Sequence, residues 1–376
     1  MTINAATTMS VITTTTTTAS EPLATRAPEP PLSIRSILTE PARQAWADYA
    51  GRAQNATLFH HPDWCDSIAD AFGHRARHLL AYRGQRVVGA LPLFEVSGWL
   101  AGRMLISVPY ATLGGVLADD AAALQGLASA ARELADRCGA QALELRSEAA
   151  DIPGMITDER YVNFSRELPT SLEELETFLP RKARAAARQG RQREGLTVEH
   201  DPERLPLVWD LYARSMRRLA SINYPYRFFR TLADRFGPNA WVTVVWREKQ
   251  PVAGLLSFAF RDTVYPYFVG VDERIRCTGA MNLLYLNVME RAVREGLRRF
   301  DFGRSRKDNP GSYRFKENQG FVPRTLGYQR YVPAGRTPPD LTPSNPRFSL
   351  ARRIWPRLPL GLTKPLGAWL SKTIPG

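Results

Sequence analysis

Apolar positions recur at helical or strand spacing from about residue 34 onward, and the order of elements they predict is met twice. In the first pass, residues 46–52 and HPDWCDSIADAFG (61–73) read as helices, the second with Asp63 in its cap region and Gly73 as its stop. HLLAYRGQRVVGALPLFEV (78–96) is a hairpin, two apolar runs flanking Arg83-Gly84-Gln85. RMLISVP (103–109) reads as a strand. After the Gly114-Gly115 break come an alanine-rich helix at about 120–138 and a strand, QALELRS (141–147).

The second pass begins near residue 166. SLEELETFLPRKARAAARQGRQREG is helical to about Gln189, with Leu172, Leu175 and Leu179 at helical spacing. Residues 204–219 put Leu205, Val208, Leu211 and Tyr212 on one face, and YRFFRTLADRFG is a third helix. WVTVVWREKQPVAGLLSFAF (241–260) is again a hairpin, turning at Glu248-Lys249-Gln250. A strand at 263–271, a helix at 280–295 and a strand FDFG (300–303) follow. RGQRVVGALPLFEV aligns with REKQPVAGLLSFAF: a charged turn, then a small residue and an apolar strand. The repetition predicts a mixed α/β fold of two tandem domains, 34–165 and 166–335. A Thr/Pro-rich tail, 1–33, is expected to be disordered, and a basic, Pro-rich tail spans 336–376.

Composition narrows the function classes. A chain of 376 residues with 44% hydrophobic residues can bury two cores. Cys65, Cys138 and Cys277 are far apart, so they form neither a disulfide framework nor a zinc site, and the five histidines form no metal cluster. Asp301-Phe302-Gly303 spells a kinase motif without its partner loops, and no Ser or Cys stands in a hydrolase setting. His60-His61 belongs to a helix cap. No run reaches the roughly 18 apolar residues of a membrane span, and residues 1–31 lack the pattern of a secretory signal. The expectation is a cytoplasmic protein, peripheral at most at the inner face of the membrane.

The charge of +13 is uneven, −4 over residues 1–165 and +17 over 166–376, which suggests a polyanionic ligand or surface or simply a basic solvated face. Arg181, Arg184, Arg188 and Arg191 recur along one helix face, either to grip tRNA or a nucleotide-sugar phosphate or to face water. In GVDERIRCTGAMNLLYLNVMERAVREG (270–296) a strand ends in a loop holding Arg274, Arg276 and Gly279, and a helix starts at Ala280. Free N–H groups at a helix start beside two arginines make an anion site. Arg276-x-x-Gly279 resembles the pyrophosphate-binding loop of GNAT acetyltransferases, with Met281 where that loop has glycine or alanine.

FDFGRSRKDNPGSYRFKENQGF (300–321) resembles the C-terminal signature of FemAB-like proteins, Y-x-F-K-x-x-x-G-F after a strand and a Gly-Ser loop. FHHPDW, VVGALPL, SVPYATLGGV and LPRKARAAARQGRQREGL resemble the FemAB-like group found beside exosortase (PEP-CTERM) and exopolysaccharide genes. Together the motifs cover roughly residues 45–332. The resemblance implies two acetyltransferase-like domains and acyl or aminoacyl transfer to an amine of a cell-envelope or exopolysaccharide precursor. It implies acyl-CoA or aminoacyl-tRNA as co-substrate, no tightly bound cofactor, and a small-molecule or lipid-linked sugar or peptide acceptor. Phe315 and Lys316 match the Phe-Lys pair at the family's catalytic centre, where the lysine stabilises the developing oxyanion. Arg274, Arg276, Gly279 and Ala280 would hold donor phosphate; Tyr224, Tyr226, Arg227, Arg304 and Tyr313 would meet the acceptor. No helical arm is inserted, and Gln319 stands where the bridge-forming relatives commonly carry Trp, which makes tRNA less secure as donor. The alternative class is a GNAT-fold module that binds tRNA or an anionic membrane without catalysing. In the tail, RFSLARRIWPRLPLGLTKPLGAWLSKTIPG (347–376) either lies on an anionic membrane or packs back onto the domains.

Overall fold

The computed structural model describes residues 29–37, 39–99, 102–148, 151–339 and 345–374, so most of the 1–33 tail lies outside the described residues. Its last residues are already structured: β1 (Leu32–Ser36) pairs antiparallel with a strand of the first hairpin. There follow α1 (Glu40–Arg52), α2 (Pro62–Phe72), β2 (Arg75–Ala76), β3 (Leu79–Arg83), β4 (Arg86–Leu91), β5 (Phe94–Gly98) and β6 (Gly102–Ile106). β7 (Leu117–Ala118), α3 (Ala121–Arg137), β8 (Ala142–Leu145), β9 (Ile156–Asp158) and β10 (Tyr161–Glu167) complete this part. The next part holds α4 (Leu172–Phe178), α5 (Arg181–Gln192), β11 (Leu196–His200), α6 (Leu205–Arg218), α7 (Tyr226–Phe236), β12 (Ala240–Arg247), β13 (Gln250–Phe260) and β14 (Thr263–Val271). Then come α8 (Ala280–Arg294), β15 (Arg299–Arg306), α9 (Pro310–Asn318), β16 (Pro323–Thr325), β17 (Tyr328–Tyr331), α10 (Ser349–Ile354) and α11 (Leu360–Leu370).

The two hairpins agree down to register. Each turns on two residues whose first is left-handed, Gly84 (φ 60°) and Glu248 (φ 54°). Each also shifts register at the same distance from its turn, between Ala81 and Tyr82 in β3 and between Val245 and Trp246 in β12. They part company at Pro92, which has no N–H to continue a ladder. β4 ends before it, and β5 pairs with β2 and β6 in a neighbouring sheet, so the predicted strand to residue 96 is two strands. In the second half β13 runs on without a break to Phe260. The helix expected through Gln189 is likewise two, α4 and α5, because Pro180 stops the first and opens the second.

Among the described residues three sheets result, ordered β1-β3-β4-β7, β2-β5-β6-β8-β17-β9 and β11-β12-β13-β14-β15-β10-β16. They do not divide the chain at residue 165. β10 lies between β15 and β16 in the second half's sheet, and β17 lies between β8 and β9 in the first half's. A continuous aromatic core joins the halves. Trp64 of α2 meets Phe228 and Phe236 of α7, Phe258 of β13 and Tyr267 of β14, mostly edge to face. This is the physical content of FHHPDW. His61 caps α2 by accepting the N–H of Asp63, and His60 is buried, bonded to the Gly115 carbonyl.

Candidate functional site

β14 and β15 are parallel neighbours, yet they pair only at Thr263 with Arg299 and Val264 with Phe300. Beyond that point they separate, and β15 continues against β10. From Tyr265 to Val271, β14 keeps β13 on one side and, among the described residues, has no strand on the other. A wedge therefore opens between β14 and β15, and α8 starts at its open end. Tyr285 of α8, Phe302 of β15 and Phe315 of α9 pack together there, with ring centroids 4.8 to 6.4 Å apart.

The glycine and arginines of the predicted anion loop are used unequally. Gly279 caps α8 in a left-handed conformation (φ 81°), and a Cβ on it would meet the Ala186 carbonyl oxygen of α5 at 1.9 Å. The residue lets α5 and α8 approach closely, a role different from approach to a phosphate. Arg274 is tied to Asp272, whose carboxyl it holds below the usual range. Arg276 is exposed with no ion pair among the described residues, and Ala280 is buried as the first residue of α8.

Lys316 is not a surface lysine. It is 8% exposed, and its Nζ donates to the carbonyls of Gly303 at 2.8 Å and Arg304 at 3.0 Å. These carbonyls sit where β15 bulges against β10, with Gly303 left-handed (φ 71°). Asp301 accepts from the Gly303 N–H at 2.7 Å and from Asn163 at 3.1 Å. Burial pushes the Lys316 ammonium down to about 7, against the pull of Asp301, and pushes the Asp301 carboxyl up. The lysine thus fixes the bend in β15 rather than projecting from it. Tyr313, on the same helix, sets its ring edge on Phe164 at 5.2 Å.

The bend aims Arg304 into the seam between the halves. Its guanidinium lies 4.7 Å from the Tyr161 ring and donates to the Tyr328 hydroxyl at 3.2 Å, with no carboxylate partner among the described residues. Opposite stands the 107–116 loop, the SVPYATLGGV motif. A Cβ on Gly114 would strike Val108, so this glycine lets the loop fold on itself, and one on Gly115 would strike Ser147, so that glycine lets the loop lie against the chain just after β8. Buried Arg146 pins it by donating to the Val108 and Ala111 carbonyls at 3.1 and 2.9 Å while paired with Glu144. The loop presents Tyr110, held at φ 60°, a conformation uncommon for a non-glycine residue. Its carbonyl accepts from the Tyr267 hydroxyl at 2.7 Å, and its ring stacks on Phe72 and meets Tyr224 at 5.1 Å. Burial raises the Tyr224 hydroxyl, while Arg304 and Arg146 act in the opposite direction.

Tyr224 and Arg304 therefore share the seam. Tyr226 and Arg227 do not join them: Tyr226 packs on Trp209 at 5.5 Å, and Arg227 is exposed at the start of α7. The seam residues absent from the sequence reading are Tyr110, Arg146, Tyr161, Tyr267 and Tyr328. The SVPYATLGGV motif, with its paired glycines, was the one signal for the first of these. A surface pocket of about 410 Å³, lined by His61, Arg235 and Arg261 among others, lies at the closed end of the wedge, away from this cluster.

Residues 179–317 match the family described as an acetyltransferase (GNAT) domain. A tandem GNAT protein from the clavulanic acid biosynthesis pathway superposes with a TM-score of 0.53 at 16% identity, covering 80% of this chain and 98% of that one. The fold is GNAT-like, in tandem. FemX superposes on the GNAT-like pair with a TM-score of 0.61 at 16% identity, over 80% of this chain and 97% of that chain. A protein of unknown function from Bacteroides thetaiotaomicron does so with a TM-score of 0.51 at 12% identity, over 78% and 98%. No curated protein matches the sequence. The separating β14 and β15 belong to the second GNAT-like domain, within the matched residues. Among the described residues no group of His, Cys, Asp and Glu could hold a metal ion, and no helix is long and apolar enough to cross a membrane.

Proposed function

We propose that the chain transfers an acyl or aminoacyl group to an amine of a cell-envelope or exopolysaccharide precursor. The observation that carries this is the unpaired inner edge of β14. Among the described residues its backbone from Tyr265 to Gly270 has no strand partner on the wedge side, and only at Val271 are the N–H and C=O taken, both by the Ser215 hydroxyl of α6. A donor arm rich in amide groups, such as the pantetheine of an acyl-CoA, can add there as a strand does. Donor phosphate would meet Arg276 and the first N–H groups of α8. The acceptor would enter through the seam, where Arg304 favours an anionic precursor, such as a diphosphate-linked or carboxylated sugar. Its amine attacks the acyl carbon, and the bond to the donor sulfur or oxygen breaks. The nitrogen's proton passes to the leaving group or to water. Lys316 serves this centre by holding the β15 bend through its bonds to the Gly303 and Arg304 carbonyls; Phe315 walls the wedge.

The donor is either acyl-CoA or aminoacyl-tRNA, and ligand-dependent melting separates the two. An acyl-CoA at about a hundredfold excess over its Kd adds about 2.7 kcal/mol of stability. The shift is expected for the wild type and expected to vanish in Arg276→Ala. No shift with any acyl-CoA would move the donor to aminoacyl-tRNA, tested next with charged tRNA. Binding of either without product would leave a module that recognises its ligand and does no chemistry.

A further inference from the structure

The C-terminal segment packs onto the body through small residues of α11 and through Trp355, which is buried. α11 is buried at Thr363 and Gly367, and Ser371 just beyond its end is buried as well, three small residues at four-residue spacing. A Cβ on Gly367 would meet the Asn223 side chain at 2.3 Å, and Asn223 donates to the Lys364 carbonyl at 3.1 Å. Lys364 pairs with Asp210 of α6, and the Ser371 carbonyl accepts from the Tyr110 hydroxyl. Two large apolar residues of α11 face outward, Trp369 at 54% exposed and Leu362 at 50%, while Leu360, Leu366 and Leu370 are half-buried. A helix docked for its own burial turns its largest apolar residues inward. Leu350 and Ile354, one turn apart on α10, are exposed too. Gly98 sits against Thr373, which brings Trp99, 69% exposed, beside the end of α11. Residues 345–374 carry six Arg and Lys and no Asp or Glu. Of these, Arg353, Arg357 and Lys372 are exposed.

We propose that this face, Trp99 with α10 and α11, docks on an anionic lipid surface. Outward apolar side chains, two tryptophans among them, beside the exposed Arg353, Arg357 and Lys372, which have no carboxylate partner among the described residues, suit the headgroup boundary, where indole sits between water and acyl chains and lysine or arginine meets lipid phosphate. Docking of this kind leaves the fold intact, since the buried side of the segment is already satisfied by α6, Asn223 and Tyr110. The inference goes beyond the proposed reaction and does not depend on it.

Flotation of the full chain with vesicles tests it without any turnover. The protein is expected to float with phosphatidylglycerol-containing vesicles, to stay behind with pure phosphatidylcholine, and to be released by salt. Arg353→Gln/Lys372→Gln should weaken partitioning about fivefold for each charge removed. Trp99→Ser/Trp369→Ser should abolish flotation at an unchanged melting temperature, both side chains being exposed. Equal flotation with neutral vesicles, none with anionic ones, or full flotation of the tryptophan variant would overturn the proposal. So would a concentration-dependent dimer in sedimentation that the tryptophan variant dissolves, because the face would then belong to a second copy.

Discussion

Lys316 shows what a single residue's identity conveys and what it conceals. Its place in Y-x-F-K was readable from the sequence, and the burial of its Nζ beneath β15 was not, because a lysine on a nine-residue helix carries no periodic mark of facing inward. The consequence is testable through pH. Its folded pKa of about 7 lies below the ordinary 10.5 of lysine. Between those values the unfolded chain binds a proton that the folded chain does not, so stability rises with pH across the window. Below pH 7 the folded state carries the full penalty of a buried ammonium. Raising the pH from 7 to 10 should therefore stabilise the wild type relative to Lys316→Met, read as the difference in melting temperature between the two. Parallel curves would mean that the lysine is charged when folded throughout. The seam tyrosines were hidden for a related reason: Tyr161, Tyr267 and Tyr328 sit in strands, where an aromatic residue signals packing before it signals a site.

At the scale of elements, the long periodic segments were legible and the short ones were not. α3, α6, α8 and the second hairpin fall within a few residues of their predicted bounds, and the first hairpin keeps its predicted turn, because each carries a repeated apolar stripe or a turn between two apolar runs. β10, β16 and β17 escaped. VNFSRE and YQRY are too short and polar to show alternation, and their burial comes from neighbours far along the chain. The α5–α8 contact was half legible: Gly279 was singled out, while the surface it meets is another helix. At Gly279→Ala the Cβ would need Ala186 to move and would hold a left-handed backbone. Overpacking of about 1–3 kcal/mol adds there to roughly 1–2 kcal/mol for the backbone. Urea unfolding should show a midpoint lowered accordingly, whereas Gly296→Ala, with open space around it, should show the backbone part alone.

At the scale of the whole molecule, the largest core ignores the duplication. Trp64 is fully buried among residues of both halves, and Trp64→Ala should cost about 3–5 kcal/mol. If the core couples the halves, that variant will still melt in one calorimetric transition at a lower temperature; two separated transitions would show that the halves unfold independently. The tandem arrangement was visible in the repeated hairpins, but the route of the chain between the sheets was not.

That route has a consequence for how the protein can be made and cut. With β10 lent forward and β17 lent back, the halves are clasped rather than strung together. A fragment ending before β17 would expose the edges of β8 and β9, and a fragment starting after β10 would leave β15 and β16 without the strand between them. Neither piece is a self-sufficient product. A protease nick in the connection between β10 and α4 would sever the covalent link yet leave two pieces holding one another's strands, separable only by unfolding both.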